Sequence, residues 1–232
     1  MDPRTKVAAA SLASTITLMY LALQELGPLI SAASLRQDVQ AAALFVLASG
    51  SLYQGLNNAA SWVILKIPPL KRFLFGANYL EDTWVGFYED ASGQDCLLVE
   101  QFEQDFDGIT IKGQSFDQNG RRRAQWVSES VAFDEREGTL RYFYTCHVLD
   151  DKKIQQGVTD FTIRRNGPMG AAQKLDGYSS DLHDGHRSPS WETRLRGRSV
   201  ELEKALKAAR SYRDGVVTAR SSAATPPVVT SP

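Results

Sequence analysis

Two long uncharged segments at the N-terminal end dominate the pattern of hydrophobic and polar positions. Residues 7–24 and residues 39–65 contain no charged side chain. A helix needs about 18 to 20 apolar residues to cross the hydrocarbon core of a bilayer, and each segment reaches that length. In lipid, such a segment satisfies its backbone hydrogen bonds only as a helix. We therefore predict a two-helix transmembrane hairpin over residues 1–72.

From residue 79 onward the hydrophobic period changes from that of a helix to that of a strand. Short segments rich in β-branched and aromatic residues alternate with turn sequences such as Asn119-Gly120. The predicted strands cover residues 80–88, 96–103, 108–116, 124–133, 140–149, 157–165, 173–182 and 191–195. Eight strands with short connections favour an antiparallel up-and-down β-barrel over residues 79–198, with room inside for one small ligand. A sandwich of two sheets is the alternative.

The segment after the barrel returns to a helical period. Leu202, Ala205, Leu206 and Ala209 recur at helical spacing, which predicts a C-terminal helix over residues 199–214. Residues 215–232 have no periodicity and are predicted to be disordered. The predicted fold class is therefore a membrane-anchored all-β protein, with a helical hairpin before the barrel and a short helix after it.

The distribution of charge indicates an orientation and excludes one class of partner. Arg4 and Lys6 precede the first predicted span, and Lys66, Lys71 and Arg72 follow the second. Because Lys and Arg accumulate on the cytoplasmic side, both termini and the barrel are expected in the cytoplasm. Residues 1–78 carry a net charge of +3, which leaves −4 for the remainder. A net-acidic barrel is a poor partner for long nucleic acid.

The sequence gives little sign of catalysis. It contains no Gly-rich phosphate loop, no nucleophile elbow and no Cys-Xaa-Xaa-Cys pair, so we expect neither an enzyme nor a cofactor. Asp181, His183, Asp184 and His186 could approach a divalent metal, but a third well-placed His is missing nearby, and no metal site is predicted. Residues 121–123 are three arginines at a predicted hairpin tip. They could reach a phosphate, although a solvated turn is the commoner role.

The first predicted strand carries a resemblance to a known family. Residues 79–88 read Tyr-Leu-Glu-Asp-Thr-Trp-Val-Gly-Phe-Tyr and are entered directly from a basic segment after two predicted spans. Residues 174–181 and 193–197 fit the last two strands of the same pattern. This organisation resembles the two-transmembrane, β-strand-rich effectors of bacterial CBASS anti-phage systems, and the resemblance extends from about residue 6 to residue 198.

The resemblance implies a receptor and an effector in one chain. In that family the cytosolic barrel binds a cyclic di- or oligonucleotide second messenger that a partner nucleotidyltransferase makes during phage infection. Binding drives homo-oligomerisation of the transmembrane helices, the bacterial inner membrane loses its integrity, and the infected cell dies or stops growing. For this chain the resemblance therefore implies antiviral defence by abortive infection, at the inner membrane, with the barrel facing the cytoplasm.

Candidate ligand-binding residues follow from strand alternation and from what a cyclic nucleotide presents. Its base faces stack on aromatic rings, and its phosphates bind Arg, Lys or backbone donors. For any one of the tyrosines, filling the core is the commoner role. Trp84 is assigned to the barrel floor, where it could pack against Arg196. The candidates for the lumen are Tyr88, Trp126, Tyr142, Tyr144, Thr162, Arg164, Tyr178 and Arg194.

A second class of function competes with the nucleotide receptor. A membrane-anchored, lipocalin-like barrel could instead hold a lipid or another apolar ligand in its interior. Polar and basic residues interleaved with aromatic ones along the later strands favour the nucleotide receptor, whereas a uniformly apolar lumen would favour the lipid carrier.

Overall fold

The structure is a computed structural model that describes residues 3–30, 35–167, 170–183 and 185–223. The chain divides into two compact units, residues 1–76 and residues 77–232. The first unit is helical. The second unit consists of strands and one long helix.

The helical unit contains α1 (Pro3–Ile30), α2 (Leu35–Lys66) and α3 (Pro68–Phe75). The predicted connection between the first two helices includes residues 31–34, which lie outside the described residues. One stretch, Pro3–Ala22, is long and apolar enough to cross a membrane; elsewhere in the described chain, α2 included, no helix meets that measure. The structure thus supports one candidate span by length and composition, where the sequence predicted two.

The second unit is a closed antiparallel barrel. Its described strands are β1 (Asp82–Glu89), β2 (Asp95–Gln104), β3 (Ile109–Phe116), β4 (Arg122–Asp134), β5 (Thr139–Val148), β6 (Lys153–Arg165), β7 (Ala172–Asp181) and β8 (Arg187–Leu195). Each strand pairs with the next along the chain, and β8 returns to pair with β1. The predicted eight-stranded up-and-down barrel is confirmed, and the two-sheet sandwich is excluded because β1 and β8 leave no open edge.

One end of the barrel interior is filled by large apolar side chains. Trp84 is fully buried there, together with Phe102, Leu140 and Phe161. Since successive side chains of a strand point to opposite faces, these residues fix which face of β1, β2, β5 and β6 looks inward. The filled end therefore shows which residues of these strands point into the lumen along the rest of the barrel.

Arg194 completes this closed end. Its guanidinium lies 5.0 Å from the ring centroid of Tyr79 and 6.0 Å from that of Trp84, and its Nε donates to Asp82 Oδ2 at 2.8 Å. The predicted partner of Trp84, Arg196, is exposed instead. That expectation was wrong because Arg194, two residues earlier on β8, is the cation on the inward face.

The C-terminal helix, α4 (Leu202–Ala223), lies on the outer face of β1, β2 and β8. Its buried residues Ala205 and Ala209 pack in one cluster with Val85, Phe87 and Leu97. The helix is confirmed, but it continues well past the predicted end at residue 214. The predicted disorder was therefore wrong over residues 215–223, and residues 224–232 lie outside the described residues.

Candidate ligand cavity of the barrel

The half of the barrel beyond the closed end encloses a cavity of about 530 Å³. Its lining includes Asp90 and Ser92 in the β1–β2 connection, Asp151 in the β5–β6 connection and His186 before β8. These connections mark the mouth of the barrel, opposite the end that holds Trp84. An eight-stranded barrel has an interior of the size that holds one small ligand.

An aromatic wall lines one side of the cavity. Trp126 on β4 and Tyr144 on β5 have ring centroids 6.4 Å apart. Each ring lies over a glycine on a neighbouring strand: a Cβ on Gly113 would be 2.1 Å from the Trp126 ring, and a Cβ on Gly157 would be 2.3 Å from the Tyr144 ring. Glycine at these two positions therefore makes room for two aromatic rings against the barrel wall.

Two buried carboxyl groups form the deepest polar part of the cavity. Glu100 on β2 and Glu192 on β8 are each 1% exposed and flank β1 from either side. Gly86 lies on the inward face of β1 between them, where a Cβ would be 1.9 Å from the carbonyl oxygen of Trp191. Trp126 Nε1 donates to Glu100 Oε1 at 2.8 Å, and the Tyr142 hydroxyl donates to the same atom at 2.7 Å.

Burial raises the pKa of both carboxyl groups, and a hydrogen bond links the two. Burial raises the pKa of Glu100 to about 7, and hydrogen bonds from Tyr142, Trp126 and Glu192 oppose that rise. Burial and the charge of Glu100 raise the pKa of Glu192 well above its ordinary value. At least one of the two carboxyl groups must carry a proton for the pair to share a hydrogen bond. Apart from the bond between the two carboxyl groups, Oε2 of each has no hydrogen-bond partner within the described part of the chain.

Arg123 brings a positive charge to the mouth. Its Nη1 lies 3.1 Å from Asp90 Oδ2 and 3.2 Å from Cys96 Sγ. Burial raises the pKa of Asp90, but hydrogen bonds from Ser92, Gln94 and Arg123 outweigh burial and lower it to about 2. The pair is therefore ionic at neutral pH. Among the described residues that line the cavity, Arg123 is the only arginine.

Comparisons with protein-family models, curated proteins and solved structures gave no match. The functional inference therefore comes from the cavity itself. The cavity combines aromatic surface, buried acceptor atoms and one guanidinium at the mouth. Aromatic rings bind planar ring systems, and a guanidinium near the entrance binds an anionic group.

Four of the predicted site residues line this cavity. Tyr88 lies near the mouth, Tyr142 reaches Glu100, and Trp126 and Tyr144 form the aromatic wall. Burial raises the pKa of both Tyr88 and Tyr144, so their hydroxyls stay neutral. Their position in the lumen follows from the structure, and their role in ligand binding stays a prediction.

The other four predicted residues do not line the cavity. Thr162 and Arg164 are exposed on the outer face of β6, where Arg164 Nε lies 3.1 Å from Asp176 Oδ2. Tyr178 also faces outward, with the Arg187 guanidinium 4.7 Å from its ring centroid. Arg194 faces inward but lies in the closed end, ion-paired with a buried carboxylate.

The cause of the first three errors is strand parity. Thr159, Phe161 and Ile163 are the inward residues of β6, so Thr162 and Arg164 point out. On β7 the inward residue is Ser179, whose hydroxyl lies 2.9 Å from that of Thr159. A shift of one residue in the assumed parity moves every side chain of a strand to the opposite face.

The sequence analysis did not identify Glu100 and Glu192, the acid pair, as a candidate site. Glu100 follows the apolar residues Leu97 to Val99 on β2, a strand whose inner face lines the lumen and whose outer face packs against α4 at Leu97. A carboxylate in a strand covered on both sides is a signal of a buried polar role. Glu192 was not among the candidates, although it shares one face of β8 with Arg194. Arg123 was interpreted as a solvated hairpin residue.

The sequence also placed possible metal ligands around His183 and His186. Asp184, which belongs to that group, lies outside the described residues. Within the described chain, no cluster of three His, Cys, Asp or Glu side chains has the arrangement of a metal site.

Proposed function

We propose that this protein is a membrane-bound receptor for a cyclic di- or oligonucleotide second messenger. Ligand binding in the barrel drives oligomerisation of the N-terminal helices and disrupts the bacterial inner membrane, as the resemblance of the first strand implies. The observation that carries the proposal is the cavity, which is of ligand size, open at one end, and lined by aromatic rings next to polar groups.

The cavity suits the parts of a nucleotide. Trp126 and Tyr144 provide the aromatic surface on which bases stack, an interaction of about 1 to 3 kcal/mol per base. Arg123 replaces Arg164 as the phosphate partner, because it lies at the mouth and already binds an anionic group there, the Asp90 carboxylate. A phosphate that enters the mouth competes with Asp90 for this guanidinium.

The polar groups of the lumen argue against the lipid carrier. Glu100, Glu192 and Thr159 are buried and lie on the cavity wall. A hydrocarbon chain there would exclude water from these polar groups and offer them no hydrogen bond, which costs free energy.

The surface of α1 supports a membrane location. Its buried side chains Val7, Ser11 and Thr15 follow each other at intervals of four residues, whereas Leu12 and Ile16 are 52% and 60% exposed. A water-soluble helix turns its apolar side chains inward, and this helix turns them outward, as a helix in contact with lipid does. We further propose that α2 is the second span, and that both termini and the barrel are cytoplasmic.

Dye leakage from vesicles tests the proposal. Full-length protein in vesicles of bacterial lipid should release dye on addition of a cyclic dinucleotide. Gly55 on α2 has open space around its Cβ position, so Gly55→Leu should block helix assembly while binding is kept. Gly55→Ala is the matched control and should leak. Absence of leakage with every cyclic nucleotide bound by the protein would refute the effector half of the proposal.

A matched pair of arginine variants tests the phosphate contact. Arg123→Ala should weaken binding by roughly 1.5 to 3 kcal/mol if its bond to phosphate is charge-assisted. Arg164→Ala, on the outer face, should leave binding unchanged. Calorimetric titration of the full chain in nanodiscs measures both, and equal losses in the two variants would contradict the assignment.

A further inference from the structure

The short helix α3 has an uncovered apolar side. Phe73 is 86% exposed, the largest exposure of any large apolar side chain in the described residues, and Ile67 and Leu70 are exposed as well. These three residues are spaced three apart, so they lie on one side of a helix that turns by about 100° per residue. Lys71 and Phe75 are buried on another side, where α3 packs on the other two helices of the unit.

The helix lies at the end of the helical unit where α1 begins and α2 ends. Lys6 Nζ, near the start of α1, donates to the carbonyl oxygen of Leu74 on α3 at 3.3 Å. Ile67 connects α2 to α3 in an extended conformation. Pro68 and Pro69 follow, and neither has an N–H that could continue the hydrogen-bond ladder of α2. α3 is therefore a separate helix that is held against the start of α1.

Positive charge accumulates at this same end. The first residues of α1, the last residue of α2 and the middle of α3 contribute five cationic side chains, against Asp2 as the one acid in residues 1–24 and 39–80: Arg4, Lys6, Lys66, Lys71 and Arg72. Lys66 and Arg72 are exposed. Basic residues beside an apolar span attract the anionic head groups of the cytoplasmic leaflet.

The apolar surface of α3 is preceded by that of α2. Trp62 and Val63, one turn before the end of α2, are exposed too. Tryptophan is enriched where a membrane helix passes from hydrocarbon to head groups. A helix with one exposed apolar side and flanking Lys and Arg, placed directly after such a tryptophan, has the composition of a helix that lies in the plane of the interface.

We propose that α3 is an interfacial helix that docks on anionic phospholipid: Phe73, Leu70 and Ile67 enter the boundary of the acyl chains, while Lys66 and Arg72 bind lipid phosphates. This inference rests on the membrane location in the proposed function and is independent of the nucleotide ligand. Lipid fits this surface better than a second copy of the chain does, because two copies meeting here would bring their exposed cations together.

Quenching of a tryptophan at position 73 tests the inference. Full-length Phe73→Trp is placed in vesicles of equal parts phosphatidylglycerol and phosphatidylcholine whose acyl chains are brominated. Relative to the unchanged protein, the added emission should be shifted to the blue and mostly lost, because bromine quenches an indole that it contacts. Phe143→Trp is the matched control, since Phe143 is an exposed ring on the outer face of the barrel, and its added emission should remain.

A lysine variant tests the contact with lipid phosphate. In the Phe73→Trp protein, Lys66→Gln should lower the ratio of quenched to unquenched indole about fivefold, the effect of one basic residue near an anionic surface. Vesicles of phosphatidylcholine alone should lower that ratio further. Lys204→Gln is the matched control, because Lys204 is exposed on α4, and it should leave the ratio unchanged.

Flotation of the same vesicles separates this inference from the proposed function. If the protein floats with the vesicles but the indole at position 73 is not quenched, the interfacial helix is overturned while the membrane location stands. A blue shift without quenching would show that a second copy covers Phe73, which also overturns it. Equal quenching in the two lysine variants would refute the role of anionic lipid. Protein that does not float would overturn both this inference and the membrane location.

Discussion

At the scale of single residues, the acid pair couples the stability of the barrel to pH. Glu100 and Glu192 are held in a medium that disfavours their charged forms, so the folded barrel binds protons more tightly than the unfolded chain does. Trp126 and Tyr142 partly offset that burial by donating to Glu100. The free energy of folding is therefore linked to pH through two residues.

The first prediction concerns this linkage. Because the folded pKa values are raised, the stabilising contribution is present at low pH and is lost as the pH rises from about 4.5 through about 7. Each group changes the free energy of unfolding by about 1 kcal/mol for each pH unit in that window. Denaturant unfolding between pH 5 and pH 8 should show a smaller fall in stability for Glu192→Gln than for the unchanged protein.

Glu103→Gln is the control for this measurement, because its carboxylate is exposed on the outside of β2. It should follow the pH dependence of the unchanged protein. If Glu192→Gln also shows an unaltered slope, burial does not raise the pKa of the Glu192 carboxyl group.

At this scale, the sequence predictions were correct where the inward face of a strand was assigned correctly. Tyr142 and Tyr144 were placed correctly because they lie two residues apart and share one face of β5 with Leu140 and Cys146. Arg164 was placed wrongly because β6 has polar residues on both faces, and Thr159, an inward residue, looks no different from Thr162, an outward one. A strand pattern gives two faces, and only the packing of neighbouring strands decides which face is inside.

At the scale of elements, glycines opposite aromatic residues shape the lumen. Gly113 on β3 and Gly157 on β6 accommodate the rings of Trp126 and Tyr144. Both glycines lie inside strands, where glycine usually weakens the sheet. Their presence is explained by the rings that they accommodate, and the cavity wall depends on both pairs.

The second prediction concerns Gly113→Ala. A Cβ at 2.1 Å from the Trp126 ring must displace the indole, which should destabilise the barrel by about 1 to 3 kcal/mol. The near-ultraviolet circular dichroism of tryptophan should change with it. Gly215→Ala is the control, since its Cβ position on α4 is open; helix propensity predicts a gain of up to about 1 kcal/mol there. Equal stability of the two variants would contradict the packing described for Trp126.

Elements with a clear hydrophobic period could be predicted from the sequence, whereas features that depend on tertiary contacts could not. The strands and α4 follow their hydrophobic periods. The extension of α4 over residues 215–223 was missed because Gly215 and the small residues after it resemble a helix end, whereas Val216 packs against the barrel cluster. Tertiary packing overrides weak local propensity. The β-bulge between Ser128 and Ser130 likewise broke the predicted alternation along β4.

At the scale of the whole molecule, the two units differ in what covers their apolar residues. The barrel buries its own, inside the closed end and beneath α4. In the helical unit Leu12, Ile16 and Leu47 remain 52%, 60% and 68% exposed. The barrel therefore has the core of an independent domain, while the helical unit leaves large apolar side chains exposed.

The third prediction is that residues 77–223 fold alone as a soluble β-protein. The barrel is closed by β1–β8 pairing, and α4 covers Val85, Phe87 and Leu97, so no lipid is required. Far-ultraviolet circular dichroism should show mainly strand. A matched fragment of residues 77–199, without α4, should aggregate because it exposes that apolar cluster. A soluble, stable shorter fragment would contradict the role given to α4.

The measurement that tests the central claim most directly is the fluorescence of Trp126 during titration of the full chain with cyclic nucleotides. Trp126 lines the cavity, whereas Trp84 is in the closed end and Trp191 packs toward α4. Base stacking in the lumen should quench the emission in a saturable manner, and Trp126→Phe should abolish that quenching while the emission of the other tryptophans remains. An emission that no cyclic nucleotide changes, or quenching that persists in Trp126→Phe, would contradict a nucleotide receptor built on this cavity.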